Sequence, residues 1–231
     1  MESFVDVATG ILASASQRLE VVAQNISNAA TPGYKRSVSF PSVLAAADVE
    51  TRQTYATDFT QGRQVVSGNP YDLAISSEGF FCVRSPGGPL YTRDGQFQLG
   101  GDGRLVTAQG YALQADGGGD IVVKGGTFLV QADGTVTEDG QPTAKIAIVS
   151  LPQNQATSRG AGGLFAAPED QVSVEDAPSV RQGAFETSNV STGDEMIRLM
   201  ETLRQAETGQ RLVGVYDDLM GRVLNTLGGA A

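Results

Sequence analysis

The chain has 231 residues with a formal net charge of −10, no histidine and one cysteine. The acidic excess argues against binding of nucleic acid or of an anionic membrane surface by bulk electrostatic attraction. The lack of histidine excludes a Ser-His-Asp triad, a Cys-His dyad and an ordinary zinc site, and a single cysteine excludes a disulfide within the chain.

The start of the chain lacks the basic stretch and the long apolar stretch of a cleaved secretory signal. No run approaches the roughly 18 consecutive apolar residues that a membrane-spanning helix needs. We therefore expect a cytosolic protein, or one exported without a cleaved signal, and no insertion into a membrane.

An amphipathic helix is predicted at the N-terminus. Its apolar residues recur at alternating steps of three and four over three heptads, which is the pattern of a helix-packing seam. Pro32 and Gly33, in the segment NISNAATPGYKR, forbid continuation of the helix, and the amides before them can satisfy backbone groups left open at its end. The seam consists of Val5, Ala8, Leu12, Ala15, Leu19, Val22 and Ile26.

The middle of the chain holds most of the glycines and reads as strands. Short apolar or alternating runs are separated by Asp-Gly pairs, in which glycine supplies the positive φ of a hairpin turn. The pattern predicts many short antiparallel strands in a meander or sandwich, with too little helix for a parallel sheet. The five pairs are Asp94-Gly95, Asp102-Gly103, Asp116-Gly117, Asp133-Gly134 and Asp139-Gly140.

A second, longer amphipathic helix is predicted at the C-terminus. Thr192 and Glu195 have the spacing of a capping box at its start. A second apolar stripe runs beside the first, and a helix with two apolar stripes needs more than one neighbour. The first stripe is Met196, Leu199, Leu203, Ala206, Gln210, Val213, Asp217, Met220, Leu224 and Leu227, and the second is Leu212, Tyr216, Leu219 and Val223.

These elements predict an α+β fold in which the terminal helices form one discontinuous domain and an antiparallel all-β domain is inserted between them. We expect a helix and its stop over residues 1–36, a connecting segment over 37–61, the β-rich domain over 62–183 and the second helix over 184–231. Two amphipathic helices at opposite ends of a chain can pair with each other or with other copies of the chain. The pattern favours a protein that polymerises.

The residues give little sign of catalysis or ligand binding. Glu78 is the best isolated carboxylate but is typical of a turn, and Cys82 lies in an apolar run and is typical of a core. The Asp-Gly repeats lack the ligand spacing of a calcium loop. We assign no catalytic, cofactor-binding or metal-binding residue and no small-molecule substrate.

Three blocks of the chain resemble the rod and hook proteins of the bacterial flagellum, the axial family. NISNAATPGYKR is similar to the N-terminal signature of that family. DLAISSEGFFCV, followed by YTRDGQFQLGGDGRLVTAQGYAL, resembles its shared middle block, and GAFETSNVSTGDEMIRLMETLRQAE resembles its C-terminal block. The blocks occur in the family's order and are spread from end to end.

The resemblance implies a non-enzymatic subunit of the basal-body rod, the shaft that crosses the periplasm. In that family the terminal helices line the tube and the β domain lies outside it. The implied partners are further copies, other rod subunits and the flagellar type III export apparatus, which would explain the missing cleaved signal. The chain is short for a distal rod subunit and suits a proximal one.

The resemblance also implies which residues carry assembly. The segment between helix and β domain is expected to act as a junction, and replacing Pro32 and Gly33 by alanines is expected to impair assembly while the β domain stays folded. The assembly residues would be Val5, Leu12, Leu19, Val22 and Ile26 in the first helix and Met196, Leu199, Leu203, Val213, Met220 and Leu224 in the second, packed within or between subunits. The junction residues would be Asn25, Asn28, Thr31, Pro32, Gly33 and Tyr34.

Two alternatives remain open at this point. The chain could be a distal rod or hook-type subunit of the same family. It could also belong to another class, as an oligomeric periplasmic or surface β domain that binds glycan or peptidoglycan.

Overall fold

The computed structural model describes residues 2–40, 54–124, 128–152 and 158–228. Within these residues an α-helix lies at each end and eighteen strands lie between them, and the strand pairs from β3 to β18 are antiparallel. The predicted α+β class is confirmed. The helices are α1 (Glu2–Ser27) and α2 (Thr192–Gly228).

The strands are short, as the frequent glycines require. They are β1 (Ser37–Phe40), β2 (Thr54–Thr57), β3 (Gln64–Val66), β4 (Leu73–Ile75), β5 (Phe80–Ser85), β6 (Gly88–Thr92), β7 (Gln98–Leu99), β8 (Leu105–Val106), β9 (Ala112–Leu113), β10 (Phe128–Val130), β11 (Thr135–Glu138), β12 (Gln141–Lys145), β13 (Ile148–Ser150), β14 (Ser158–Arg159), β15 (Leu164–Ala166), β16 (Ser173–Val174), β17 (Val180–Gln182) and β18 (Ala184–Glu186).

The chain divides into two compact units. The helical unit comprises the described parts of Met1–Ser27, Ser37–Ala56 and Ser191–Ala231, and the β-rich unit comprises Asn28–Arg36 and Thr57–Val190. The division differs from the expected domain bounds at both junctions. Residues 184–190, expected with the second helix, lie in the β-rich unit and contain β18. The segment 28–36, expected with the first helix, makes its contacts in the β-rich unit.

In the helical unit, α1 and α2 pack against each other, and β1 pairs with β2. The first helix ends where the sequence predicted, because Pro32 and Gly33 follow closely. The second begins one residue earlier than the predicted capping box: the hydroxyl of Ser191 accepts a bond from the backbone N–H of Asp194 at 3.4 Å, the bond of an N-cap residue.

In the β-rich unit, the largest sheet has the order β14-β15-β6-β5-β9-β8-β7, with β13 pairing both β5 and β16. A second sheet is β10-β11-β12, and two pairs, β4 with β17 and β3 with β18, complete the unit. Strand β5 has buried side chains on both faces because successive residues point to opposite sides. Phe81 faces the main core, and Phe80 faces a smaller cluster with Tyr91, Val149 and Phe165.

The main core is built from apolar residues of most strands. It contains Leu73, Ile75, Phe81, Val83, Phe97, Leu105, Leu113, Ile121, Val123, Phe128, Val130, Val136, Ile146, Ile148, Leu164 and Val180.

Four of the five Asp-Gly pairs form tight turns, and in each the glycine has a positive φ: Gly103, Gly117, Gly134 and Gly140. The hairpin prediction is wrong for Asp94-Gly95, because the strands on either side of it, β6 and β7, are not paired. A Cβ at Gly95 would lie 1.6 Å from the backbone oxygen of Leu73. Glycine is needed there for close approach of two chain segments.

Candidate functional site

One face of α1 contains buried apolar residues one heptad apart. Ala8, Ala15 and Val22 are buried, as the heptad pattern indicated. Of the other residues proposed for assembly, Leu12 and Ile26 are half-buried, and Leu19 is exposed. The side chain of Val5 lies outside the described part of the structure.

The buried face of α2 is rotated relative to the predicted seam. Leu199, Val213 and Met220 are half-buried within the chain, and the side chain of Leu224 is not described. Met196 and Leu203, by contrast, are 41% and 46% exposed. The buried residues are those one position before Met196, Leu203 and Gln210 of the predicted seam. They are Glu195, Thr202 and Gly209.

The two helices approach closely at Gly209. A Cβ added there would lie 3.1 Å from the side chain of Leu12 and 3.2 Å from that of Ile11. A hydrophobicity count passes over glycine and threonine, so the sequence pattern placed the seam one residue later, at Met196, Leu203 and Gln210. The glycine in mid-helix was the signal of close approach.

The rotation leaves apolar side chains of α2 uncovered within the chain. We call Met196, Ile197, Met200 and Leu203 the outer stripe; all four are exposed. Farther along, Val215 and Leu219 are exposed as well. An apolar strip of this kind on a helix is typical of a surface that another chain covers.

The side chain of Asn25 binds the backbone of Ser37, the first residue of β1. Its amide nitrogen donates to the carbonyl of Ser37 at 2.9 Å and its amide oxygen accepts from the N–H of Ser37 at 2.9 Å. The same nitrogen lies 3.3 Å from Oε2 of Glu195, and both residues are buried. In these bonds Asn25 satisfies backbone groups of β1, whereas the sequence predicted backbone groups at the end of the helix.

The other junction residues lie in the β-rich unit, where they form a turn and then a close contact. The backbone N–H and the hydroxyl of Thr31 donate to the carbonyl and the side-chain oxygen of Asn28, at 3.0 Å and 3.2 Å. After Pro32, Gly33 has a φ of +66°, and its N–H donates to the carbonyl of Glu186 at 2.8 Å. A Cβ at Gly33 would lie 2.2 Å from the backbone nitrogen of Asp94, so no other residue fits without movement of the backbone.

The next residue, Tyr34, is held from two sides. Arg159 lies over its ring at 4.7 Å and donates to its hydroxyl at 2.9 Å. The carbonyl of Tyr34 accepts from the N–H of Asn189 at 3.3 Å. The side chain of Asn189 in turn accepts from the N–H of Arg36 at 2.7 Å and donates to the carbonyl of Asp58 at 2.8 Å.

A buried ion triad, which sequence reasoning did not single out, lies beside this segment. Nζ of Lys35 is 2.6 Å from Oε1 of Glu186, and the guanidinium of Arg93 is 3.1 Å from Oε2 of the same carboxylate. The three side chains are 0%, 1% and 5% exposed. Lys35, Arg93 and Glu186 are too far apart in the sequence for a local pattern to predict their contact.

Burial lowers the pKa of Lys35 from its ordinary value, and the neighbouring Glu186 carboxylate only partly offsets this effect. Burial likewise lowers the pKa of Arg93. Two cations share one carboxylate, so the triad carries an excess positive charge in a site with little access to water.

A cleft of about 600 Å³ adjoins the triad, with Asp58, Glu78 and Arg93 in its lining. Among the described residues there is no group of three or more His, Cys, Asp or Glu side chains placed to hold a metal ion. Neither α1 nor α2, over the part that the structure describes, combines the length and the apolarity needed to cross a bilayer.

Comparison with known families matches all three sequence blocks. Residues 6–35 match the model described as flagella basal body rod protein. Residues 74–144 match the D1 domain of the flagellar hook protein FlgE/F/G, and residues 181–227 match the C-terminal model of flagellar basal body rod FlgEFG proteins.

Whole-chain relatives bear the same names. The chain is 30% identical over 245 residues to the flagellar basal-body rod protein FlgF of Rhizobium meliloti, with full coverage of both proteins. It is 31% identical over 230 residues to FlgF of Caulobacter vibrioides, with 92% of each covered, and 30% identical over 270 residues to FlgG of Agrobacterium fabrum, with 98% of this chain and 100% of the relative covered. The chain therefore belongs to the family of flagellar basal-body rod proteins.

Proposed function

We propose that this chain is a structural subunit of the flagellar basal-body rod and that it assembles through α1 and α2 into a helical tube. The observation that carries the proposal is the outer stripe of α2. The stripe remains exposed although α2 already packs against α1 in the same chain. A second neighbour is therefore required, and other rod subunits are the partners that family membership favours.

Within the family we assign the chain to the FlgF type, the proximal rod. Length supports this assignment: the chain of 231 residues aligns with FlgF of R. meliloti over 245 residues but with FlgG of A. fabrum over 270. Alignment with the FlgG protein thus needs more gaps in this chain. Complementation separates the types: the chain should restore swimming to a relative's strain that lacks FlgF and not to one that lacks FlgG.

The remaining parts of the proposal concern export and activity. The subunit reaches the rod through the flagellar type III export apparatus, transmits torque and surrounds the channel for later subunits, without enzymatic activity. An assay for lysis of peptidoglycan by the purified protein tests the lack of enzymatic activity. Retention of the protein in cells that lack a working export apparatus tests the export route.

The assembly surface is tested by changing the outer stripe without touching the helix pair. Met200→Gln combined with Leu203→Gln should prevent swimming and remove the protein from isolated basal bodies, while the purified variant keeps its helical content. Glu201→Gln combined with Arg204→Gln is the matched control, because both residues are exposed on the same turns of α2. Normal swimming of the stripe variant would contradict the proposal.

A further inference from the structure

The segment Gly33–Arg36 is an integral part of the β-rich unit. Its residues bond to positions far along the chain: Gly33 and Lys35 to Glu186, Tyr34 to Arg159, and Arg36 through its backbone carbonyl to the N–H of Asp58 at 2.8 Å. Gly33, Tyr34 and Lys35 are buried. A surface linker would leave its side chains in water and would need none of these bonds.

Glu186 collects the bonds that fix this segment. Its Oε1 accepts from Nζ of Lys35 at 2.6 Å and from the N–H of Gly62 at 2.8 Å, and its Oε2 accepts from Arg93 at 3.1 Å. Its backbone carbonyl accepts from Gly33. Lys35 also donates to the carbonyl of Thr60 at 2.7 Å. Without the segment, the buried Glu186 would lose two of these four donors, Lys35 and Gly33, and keep only Gly62 and Arg93.

The triad is connected to several sheets of the unit. Glu186 is the last residue of β18 and is paired with Gln64 of β3. Arg93 directly follows β6 of the large sheet and donates to the carbonyls of Ile75, on β4, at 3.1 Å and of Ser77 at 2.8 Å. A change at Glu186 therefore acts on three groups of strands and not on one loop.

We propose that this arrangement is a folding switch, in which the β-rich unit is stable only while the segment Gly33–Arg36 is docked and Glu186 couples the two. The switch goes beyond the assembly function, because it acts within one chain. A partner that held the N-terminal segment in an extended form would keep the β-rich unit easily unfolded.

Native-state hydrogen exchange on the full-length protein tests the coupling directly. The amides of Gly33 and Arg36 should open with the same free energy and denaturant dependence as core amides such as those of Leu105 and Ile121. Both of these residues are fully buried in the main core, and their N–H groups donate to the carbonyls of Ile121 and Leu113. Exchange of the segment through a separate, lower-energy opening, with the core amides still protected, would overturn the proposal.

Matched substitutions give a second test. Lys35→Met should speed exchange of the β10–β12 sheet, distant from the triad in the chain, by at least about tenfold, since loss of the docked ammonium weakens the whole unit. Lys124→Met makes the same replacement at an exposed lysine and should change exchange less than about twofold. Complete unfolding of the Lys35 variant alone would also support the switch, whereas effects confined to residues near 35, 60 and 186 would overturn it.

Discussion

Nζ of Lys35 and Oε1 of Glu186 lie 2.6 Å apart, although 151 residues separate them in the chain. The contact joins the segment after α1 to the strand that precedes α2, and Arg93 makes it a triad. The segment by which the chain first enters the β-rich unit is thus bonded to the strand that precedes its last exit. Replacement of Glu186 is therefore expected to lower the free energy of unfolding more than replacement of any single exposed residue.

Removal of the charge of Glu186 and removal of the charge of Lys35 should have unequal effects. Glu186→Gln leaves two buried cations without a carboxylate, for which we expect a loss of about 3–5 kcal/mol in the free energy of unfolding. Lys35→Met leaves a one-to-one pair and should cost less. The double variant should be no less stable than Glu186→Gln alone, because it also lacks the Lys35 ammonium that Glu186→Gln leaves without a carboxylate. Urea unfolding of the wild type, the two single variants and the double variant measures the coupling free energy.

Two exposed residues supply the controls for this cycle. Glu169→Gln and Lys124→Met make the same chemical changes in water and should alter the free energy of unfolding by no more than about 0.5 kcal/mol. Strictly additive losses in Lys35→Met and Glu186→Gln would mean that the two residues act independently and would contradict the triad.

The depressed pKa of Lys35 predicts a pH dependence. Between the lowered pKa in the folded protein and the ordinary value of 10.5, the unfolded chain binds more protons, so the contribution of Lys35 to stability rises with pH. The charged groups facing its ammonium are Glu186, Arg93 and Asp58. Unfolding of the wild type and of Lys35→Met, compared at several pH values up to 10.5, isolates this contribution. A stability difference that falls as the pH rises would contradict it.

Helices, most hairpin turns and the fold class could be predicted from the sequence because each depends on neighbours within a few residues. The buried face of α2 could not, since Thr202 and Gly209 fill it and a hydrophobic pattern gives them no weight. The triad could not either, because nothing local links Lys35, Arg93 and Glu186. The sequence indicated that Pro32 and Gly33 end the first helix. It did not indicate that Gly33 packs against the backbone of Asp94, which is distant in the sequence.

That packing alters the expected effect of replacing Pro32 and Gly33. Gly33→Ala should destabilise the β-rich unit by several kcal/mol, because a Cβ would lie 2.2 Å from the backbone nitrogen of Asp94. The sequence suggested that the β domain would stay intact. Gly68→Ala is the control: Gly68 also has a positive φ but has no heavy atom within 4 Å of the added Cβ, and the loss there should be about 1 kcal/mol. Equal melting temperatures of the two variants would argue against the close contact.

The two amides of the motif should differ in importance. Asn25→Ala removes both bonds to the backbone of Ser37 and leaves buried groups unsatisfied, so we expect a loss of about 2–3 kcal/mol in the helical unit. Asn28→Ala removes the side-chain bond from the hydroxyl of Thr31, within a local turn, and should cost less than about 1 kcal/mol. Thermal unfolding followed by circular dichroism at both helix and strand wavelengths compares them, because Asn25 lies in the helical unit and Asn28 in the β-rich unit. A larger loss for Asn28→Ala would be inconsistent with the structure.

Two glycines of α2 should respond in opposite ways to alanine. Gly214 is exposed with no heavy atom within 4 Å of an added Cβ, so Gly214→Ala should stabilise the helix by about 0.5–1 kcal/mol through helix propensity. A Cβ added at Gly209 would lie 3.1 Å from the side chain of Leu12 and 3.2 Å from that of Ile11. Gly209→Ala should therefore crowd α1 and lose the gain in helix propensity. Gly209→Leu should force the helices apart and lower the melting temperature of the helical signal. If Gly209→Leu were as stable as the wild type, α1 and α2 could not be packed in the observed register.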